Sequence, residues 1–194
     1  MGTALFVIDV QNDFTEGGAL GVTGGGSVAE GISRLLREHP ERYEQVFASR
    51  DWHDGDNDNG GHFSETPDFV DTWPVHCVAS TPGADYHPAL HLTVDAIHVR
   101  KGQGVPAYSI FEGVTDEGES VQDALERLGV TDIDVVGIAT DHCVLASALD
   151  ALAAGRRVRV LSHLVVGVSP ESSIAALERL TASGATVVNP ASSR

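Results

Sequence analysis

Apolar residues along the chain gather in short runs, separated by stretches with a helical rhythm. Residues 4–10, ALFVIDV, are apolar and rich in β-branched side chains, the mark of a strand buried on both faces. Ser27 with Glu30 three residues later reads as a capping box, opening a helix that runs to about residue 38. Second and third strands are expected at residues 45–49 and 96–100. Ser120 followed by Asp123 opens another helix, which Gly129 closes, and residues 133–139, IDVVGIA, form the most apolar strand. A helix over residues 141–154 ends before Gly155, and a fifth strand covers residues 157–161. Ser169 as N-cap and Pro170 in the first turn start a last helix, which ends near Gly184 before a strand at residues 186–188. Six strands alternating with helices predict an α/β fold: one domain over residues 1–190, a doubly wound six-stranded parallel sheet with helices on both faces. Residues 191–194 read as a frayed tail.

One stretch breaks the alternation. From Asp51 to about Asp95 there is little periodicity, yet the segment holds both tryptophans and five of the 9 histidines. A long stretch without regular structure inside a compact domain is either a misassigned element or a functional site, and the density of histidine and aspartate favours the site. Composition narrows the partners. With 28 Asp and Glu against 12 Lys and Arg, the formal net charge is −16, a field that repels nucleic acid and anionic membrane surfaces. No apolar stretch approaches the length of a membrane span. The opening MGTALFVIDVQ lacks the basic start of a signal peptide, and only Cys77 and Cys143 are present, so a reduced, cytoplasmic protein is expected.

The reactive residues sit where the strands end. Asp9 closes the first strand, Asp51 and His53 follow the second, Lys101 follows the third, and Cys143 follows the fourth. Open parallel sheets bind ligands beyond the carboxyl ends of their strands. Singly, such residues have plainer explanations, a turn-forming Asp or a solvated Lys, so their joint placement carries the argument. Cys143 lies after the turn IATDH, near the start of a helix, where the dipole and free N–H groups favour a thiolate. A carboxylate such as Asp9 would take the thiol proton, and Lys101 would hold the charges together. Backbone N–H groups around Ala139 and Cys143 are placed to bind an oxyanion. Cys77 has no such setting and reads as a buried structural cysteine.

Asp51, His53, His62 and His76 offer one carboxylate and three imidazoles, a donor set for Zn²⁺, Fe²⁺ or Mn²⁺ at a working site with open positions. A calcium loop competes for part of the segment: Asp54, Asp56, Asp58 and Glu65 stand at positions 1, 3, 5 and 12. That pattern wants Gly where this chain has Asn59, and it wants flanking helices, so a solvated acidic excursion is expected instead.

Taken together, VIDVQNDF at residues 7–14, the D-x-H…HF…TWPVHC segment, Lys101 at its strand end, AYSIFEG at residues 107–113 and GIATDHCV at residues 137–144 resemble the nicotinamidases. These are pyrazinamidase-type amidases within the isochorismatase-like cysteine hydrolases, and the resemblance runs from about residue 3 to residue 188. It implies Asp9, Lys101 and Cys143 as catalytic triad; Asp51, His53, His62 and His76 as ligands of one divalent metal, Zn²⁺ first, with Fe²⁺ or Mn²⁺ as the alternatives; and Ala139 and Cys143 as oxyanion-hole amides. It also implies a cis peptide between Ile138 and Ala139, aromatic walls at Phe14 and Trp73, and further pocket positions at Tyr108 and His142. The implied reaction is hydrolysis of nicotinamide to nicotinate and ammonia, a small-molecule reaction without nucleic-acid or membrane partners. A sister hydrolase acting on isochorismate or a carbamoyl compound is the nearest rival, and it would not be expected to combine this metal set with the cysteine. A redox sensor and a metallohydrolase in which Cys143 merely packs are the rivals of other classes. The link between the second and third metal ligands, residues 54–61, is longer than the family pattern; the following His-Phe-Ser keeps His62 as the third ligand.

Overall fold

The computed structural model describes residues 2–93 and 95–189; the tail at residues 191–194 lies outside them. All six predicted parallel strands form: β1 (Gly2–Ile8), β2 (Gln45–Asp51), β3 (Ile97–Lys101), β5 (Val130–Ile138), β6 (Arg157–Val166) and β7 (Thr186–Val188). A seventh strand, the two-residue β4 (Val114–Thr115), was not expected; it runs antiparallel to β3 and closes one edge. The sheet order is β4-β3-β2-β1-β5-β6-β7. The chain therefore winds outward from β1 in one direction, then returns to build outward from β5 in the other. The crevice of such a sheet lies at that reversal, beyond the ends of β1 and β5.

Alternation of side chains divides the core into two layers. Leu5, Val7, Val46, Val136 and Ile138 face α1 (Gly25–Glu38), which presents Val28, Ala29, Ile32 and Leu36. Phe6, Ile8, Phe47, Ile133 and Val135 face α2 (Val121–Arg127), α3 (Leu145–Ala153) and α4 (Pro170–Ala182). Every strand residue from Ala4 to Ile8 is fully buried, as a parallel sheet covered on both faces requires. Among the described residues no helix is long and apolar enough to cross a membrane.

Helix starts follow the sequence in two places and depart in two. Ser120 and Ser169 cap α2 and α4 by accepting the N–H groups of Asp123 and Ser172. The Ser27–Glu30 capping box does not form. The N-cap of α1 lies three residues earlier, at Gly24 in the left-handed region at φ 96°, and the Glu16 carboxylate accepts the Gly24 and Gly26 N–H groups at 2.5 and 2.9 Å. A carboxylate from outside the helix serves these free donors and complements the dipole, so Ser27 has no work to do there. The helix expected from residue 141 starts as a wide π-type turn, Thr140–Val144, before α3 proper. Such turns recur at functional sites inside helices.

Candidate active site

The predicted first strand stops at Ile8, because Asp9 turns into the left-handed region at φ 46°. That turn lifts the Asp9 side chain out of the pleat and over the sheet edge, where it is fully buried. Lys101, the last residue of β3, reaches across: its Nζ lies 2.9 Å from Asp9 Oδ2, forms a short contact with Asp51 Oδ1, and is 3.7 Å from Cys143 Sγ. The Cys143 sulfur and carboxylate oxygens of Asp9 and Asp51 all lie within 4.8 Å of one another. Four strands thus deliver one cluster.

The charges in this cluster are settled by opposing effects. Burial alone would strip Lys101 of its proton, but the Asp51 and Asp9 carboxylates outweigh it and hold the ammonium well above its ordinary pKa. Burial likewise works to raise Asp51, and Lys101 with the neighbouring imidazoles of His53 and His76 overcomes it, so Asp51 stays ionised. Asp9 ends above the ordinary carboxylate value, since burial and the Asp51 charge exceed the pull of Lys101 and the Ser49 hydrogen bond. Burial pushes the Cys143 thiol well up, against the pull of Lys101, with the two carboxylates adding to the rise. The pull of the helix start toward a thiolate does not prevail on its own. Desolvation beside two carboxylates exceeds whatever the first turn supplies, so the thiol keeps its proton until a base takes it.

The imidazoles of His53, His62 and His76 lie beside this cluster, each buried, with ligand nitrogens within 4.8 Å of one another. Their rings are aimed by backbone carbonyls: His53 Nδ1 is 2.8 Å from the Gly102 oxygen, and His76 Nδ1 is 2.8 Å from the Pro74 oxygen. This leaves Nε2 of both rings facing Asp51 Oδ2, at 3.6 and 3.8 Å. Gly102 is required here, since its φ is 84° and a Cβ would stand 2.5 Å from the His53 ring. His53 Nε2 and His62 Nδ1 are buried without hydrogen-bond partners among the described residues. Burial, reinforced by the other two rings, lowers the His62 pKa to about 4, so His62 is neutral and its lone pair available. Orphaned imidazole nitrogens gathered beside a carboxylate fit a divalent cation. Asp51 belongs to both clusters, one oxygen on Lys101 and the other toward the rings.

Both clusters open on one cavity of about 370 Å³, walled by Phe14, Trp73, Tyr108, His142 and Ala139, with Cys143, Asp51, His62 and His76 at its floor. Trp73 Nε1 donates to the Tyr108 hydroxyl at 3.0 Å, and the Trp73 ring meets His142 edge-on at 5.1 Å. The peptide bond between Ile138 and Ala139 is cis. Of the residues that the sequence singled out, Phe14, Asp51, His62, Trp73, His76, Tyr108, Ala139, His142 and Cys143 line this space, while Lys101, Asp9 and His53 lie behind it, Lys101 and His53 against Asp51 and Asp9 against Lys101. Sequence reading missed Leu20, Val22, Phe69 and Val168, which also line it, and which carry no motif that would have marked them.

The isochorismatase domain matches residues 3–192. The chain belongs to the isochorismatase-domain family. Within that family it is 49% identical over 177 residues to the nicotinamidase/pyrazinamidase of Mycobacterium tuberculosis, covering 91% of this chain and 93% of that protein. It is 37% identical to the nicotinamidase of Escherichia coli, over 95% of this chain and 93% of that one. In structure it resembles the pyrazinamidase of Pyrococcus horikoshii in complex with zinc, with a TM-score of 0.84 and 35% identity, covering 98% of this chain and 100% of that chain.

Two further parts of the isochorismatase-domain site follow from the loop between β2 and β3. The link at residues 54–61 is organised by Asn59, which is fully buried and sits at φ 49°. Its side chain accepts the Asp54 and Gly104 N–H groups at 2.9 and 3.1 Å and donates to the Asp54 oxygen at 3.0 Å. Asparagine tolerates this backbone region, so the position that a calcium loop gives to Gly serves here as a turn. Asp54, Asp56, Asp58 and Glu65 form no ligand cluster among the described residues. Cys77 is buried, at φ 46°, with its N–H donated to Asp13 Oδ2 at 2.7 Å, and burial raises its thiol as a packing role requires.

Proposed function

We propose that this chain is a nicotinamide amidohydrolase, converting nicotinamide and water to nicotinate and ammonia, and that it also hydrolyses pyrazinamide. The observation that carries the reading is the pair Lys101 and Asp51, which joins a cysteine and a second carboxylate to a three-histidine cluster beside one aromatic cavity. A PnC1 structure from L. infantum in complex with nicotinate, 29% identical with a TM-score of 0.81 over 97% of this chain and 92% of that one, supports the substrate class.

In this mechanism Asp9 takes the Cys143 proton, and the thiolate attacks the carboxamide carbon. The N–H groups of Ala139 and Cys143 hold the tetrahedral oxygen. Asp9 returns the proton to the departing nitrogen, ammonia leaves, and a nicotinoyl thioester remains on Cys143. Water attacks that carbonyl while Asp9 takes its proton; the C–S bond breaks, nicotinate is released, and Asp9 restores the thiol. The raised Asp9 suits this shuttle, because a carboxyl well below its usual value would be a poor proton carrier. Lys101 steadies the cluster as its negative charge moves between sulfur and carboxylate. Phe14 and Trp73 clamp the ring, and Tyr108 and His142 close the wall behind it.

Asp51, His53, His62 and His76 would hold one divalent ion, with zinc the first choice. When bound, that ion supplies a Lewis-acidic contact for the ring nitrogen and so orients the substrate. The two unpaired cysteines and the acidic surface suit a cytoplasmic enzyme of one domain. Ammonia release tests the proposal: nicotinamide and pyrazinamide are turned over, and benzamide, which lacks the ring nitrogen, is a much poorer substrate. Equal turnover of benzamide and nicotinamide would overturn the ring-nitrogen contact, and no ammonia from any of them would overturn the function.

A further inference from the structure

Parallel pairing of β1 with β2 ends at Val7 and Ala48, before either strand reaches its functional carboxylate. Beyond that pair Asp9 turns left-handed, and the ladder between the two strands has no further rungs. Two side chains take over. Ser49 Oγ accepts the Asp9 N–H at 3.3 Å and donates to Asp9 Oδ1 at 2.7 Å. Gln11 works in the reverse direction: its Oε1 accepts the Asp51 N–H at 2.9 Å, and its Nε2 donates to the Asp51 carbonyl at 2.9 Å and to the Ala84 carbonyl at 3.0 Å. All four residues are buried, Ser49, Gln11 and Asp9 completely. Each strand end is thus braced by a side chain from the other.

We propose that Ser49 and Gln11 are positioning residues with separate duties: Ser49 fixes the Asp9 carboxylate for proton transfer, and Gln11 fixes Asp51 toward the imidazoles. A hydroxyl suits the first duty. It has one proton, which Oδ1 takes, and a lone pair, which the Asp9 N–H takes, so Oδ2 is left to Lys101 and the thiol. A carboxamide suits the second duty, because it offers one acceptor and two donors in one plane, and so stands in for the peptide group of a missing strand neighbour. Asparagine is one methylene too short to span the same gap, and glutamate lacks the donors. Neither residue reaches the cavity, so Ser49 acts through the Asp9 carboxylate it holds and Gln11 through the Asp51 backbone that sets where that side chain points.

The inference rests on the roles proposed for Asp9 and Asp51, and the experiment separates the two levels. Ser49→Ala, Ser49→Thr, Gln11→Asn and Asp9→Ala are compared for kcat and KM on nicotinamide, and for zinc affinity by competition with a chromogenic chelator. Ser49→Ala is expected to lower kcat about 10- to 100-fold with a smaller change in KM and wild-type zinc affinity, and Ser49→Thr to restore most of the loss. Gln11→Asn is expected to weaken zinc about 10- to 100-fold and to raise KM more than it lowers kcat. Should Ser49→Ala fail to accumulate as folded protein, Ser49→Cys, which keeps the volume and weakens the hydrogen bond, is expected to show the same loss in kcat. Wild-type kcat in Ser49→Ala, or one shared pattern of lost kcat, zinc and thermal stability in both single variants, overturns the division of duties. An Asp9→Ala variant with wild-type turnover sinks the underlying mechanism instead; an inactive Asp9→Ala beside a fully active Ser49→Ala sinks only this inference.

Discussion

The two halves of the site are built by different means. Asp9, Asp51 and Lys101 ride on or directly beyond adjoining parallel strands, with Asp51 and Lys101 in register as the last pair between β2 and β3. Their positions are inherited from the sheet, whose central strand is buried from Ala4 to Ile8. The three imidazoles instead sit in the irregular segment between β2 and β3, where the backbone makes only isolated bridges such as His53 with Val78 and Phe63 with Trp73. Their rings are aimed by single carbonyls, those of Gly102 and Pro74, and the approach of His62 depends on the turn that Asn59 ties. A strand end holds a group through many shared contacts, whereas a loop holds it through a few hydrogen bonds. The loop half should therefore yield to local change, and the strand half chiefly to loss of its reacting groups or of the buried side chains that brace them.

The largest expected effect falls on the strand half. Cys143→Ala is predicted to remove turnover by about three orders of magnitude or more, while metal content measured by emission spectroscopy stays at the wild-type level. A variant that kept near wild-type turnover would shift the chemistry to the imidazole half. Lys101 belongs to the strand half but also holds Asp51, which faces the imidazoles, and Lys101→Met leaves two buried carboxylates without their cation. It is predicted to cost about 3–5 kcal/mol in denaturant unfolding and to lower both turnover and zinc affinity. Loss of turnover alone, at wild-type stability, would separate the halves more sharply than the structure does.

Next in size come the loop variants. His53→Ala is predicted to lose metal and to raise KM, while iodoacetamide still modifies Cys143 at the wild-type rate, because no member of the thiol cluster is removed. Asn59→Ala unties the turn before His62 and is predicted to weaken zinc by about tenfold, with little change in the global unfolding midpoint. The smallest effect is one of pH. His62 has a pKa of about 4 in the folded state against 6.5 for the free side chain, so between those values the unfolded chain binds more protons. Stability of the metal-stripped protein is therefore complete above pH 6.5 and declines as pH falls toward 4, and His62→Gln is predicted to flatten that decline in thermal melts followed across the range. An unchanged slope would show that His62 is solvated rather than packed among the other rings.

Much of this arrangement was legible in the residues, and the exceptions have physical causes. The strands were readable because a parallel sheet buried on both faces leaves continuous apolar runs, and the strand-end placement of Asp9, Asp51, Lys101 and Cys143 followed from those runs. The capping box at Ser27 is displaced because the helix starts earlier, with its N-cap at Gly24, where Glu16, eight residues before it, accepts the Gly24 and Gly26 N–H groups. The protonation of Cys143 is legible only in part, because a helix start is visible in sequence while burial beside two carboxylates is not. Ser49 and Gln11 were passed over because their hydrogen bonds span 40 residues and leave no local pattern. Asn59 did carry a signal: an asparagine followed by two glycines marks a tight turn, though it was weighed only as a misfit in a calcium loop.

The central claim is that Cys143 carries the acyl group, with the imidazole cluster confined to orienting the ring. Quenching wild-type enzyme in acid during turnover of nicotinamide, followed by mass analysis of its peptides, tests this directly. The account predicts a nicotinoyl adduct on the peptide containing Cys143, absent without substrate and absent in Cys143→Ala. An enzyme in full turnover that shows no adduct on that peptide, together with a Cys143→Ala variant that still releases ammonia, would contradict it.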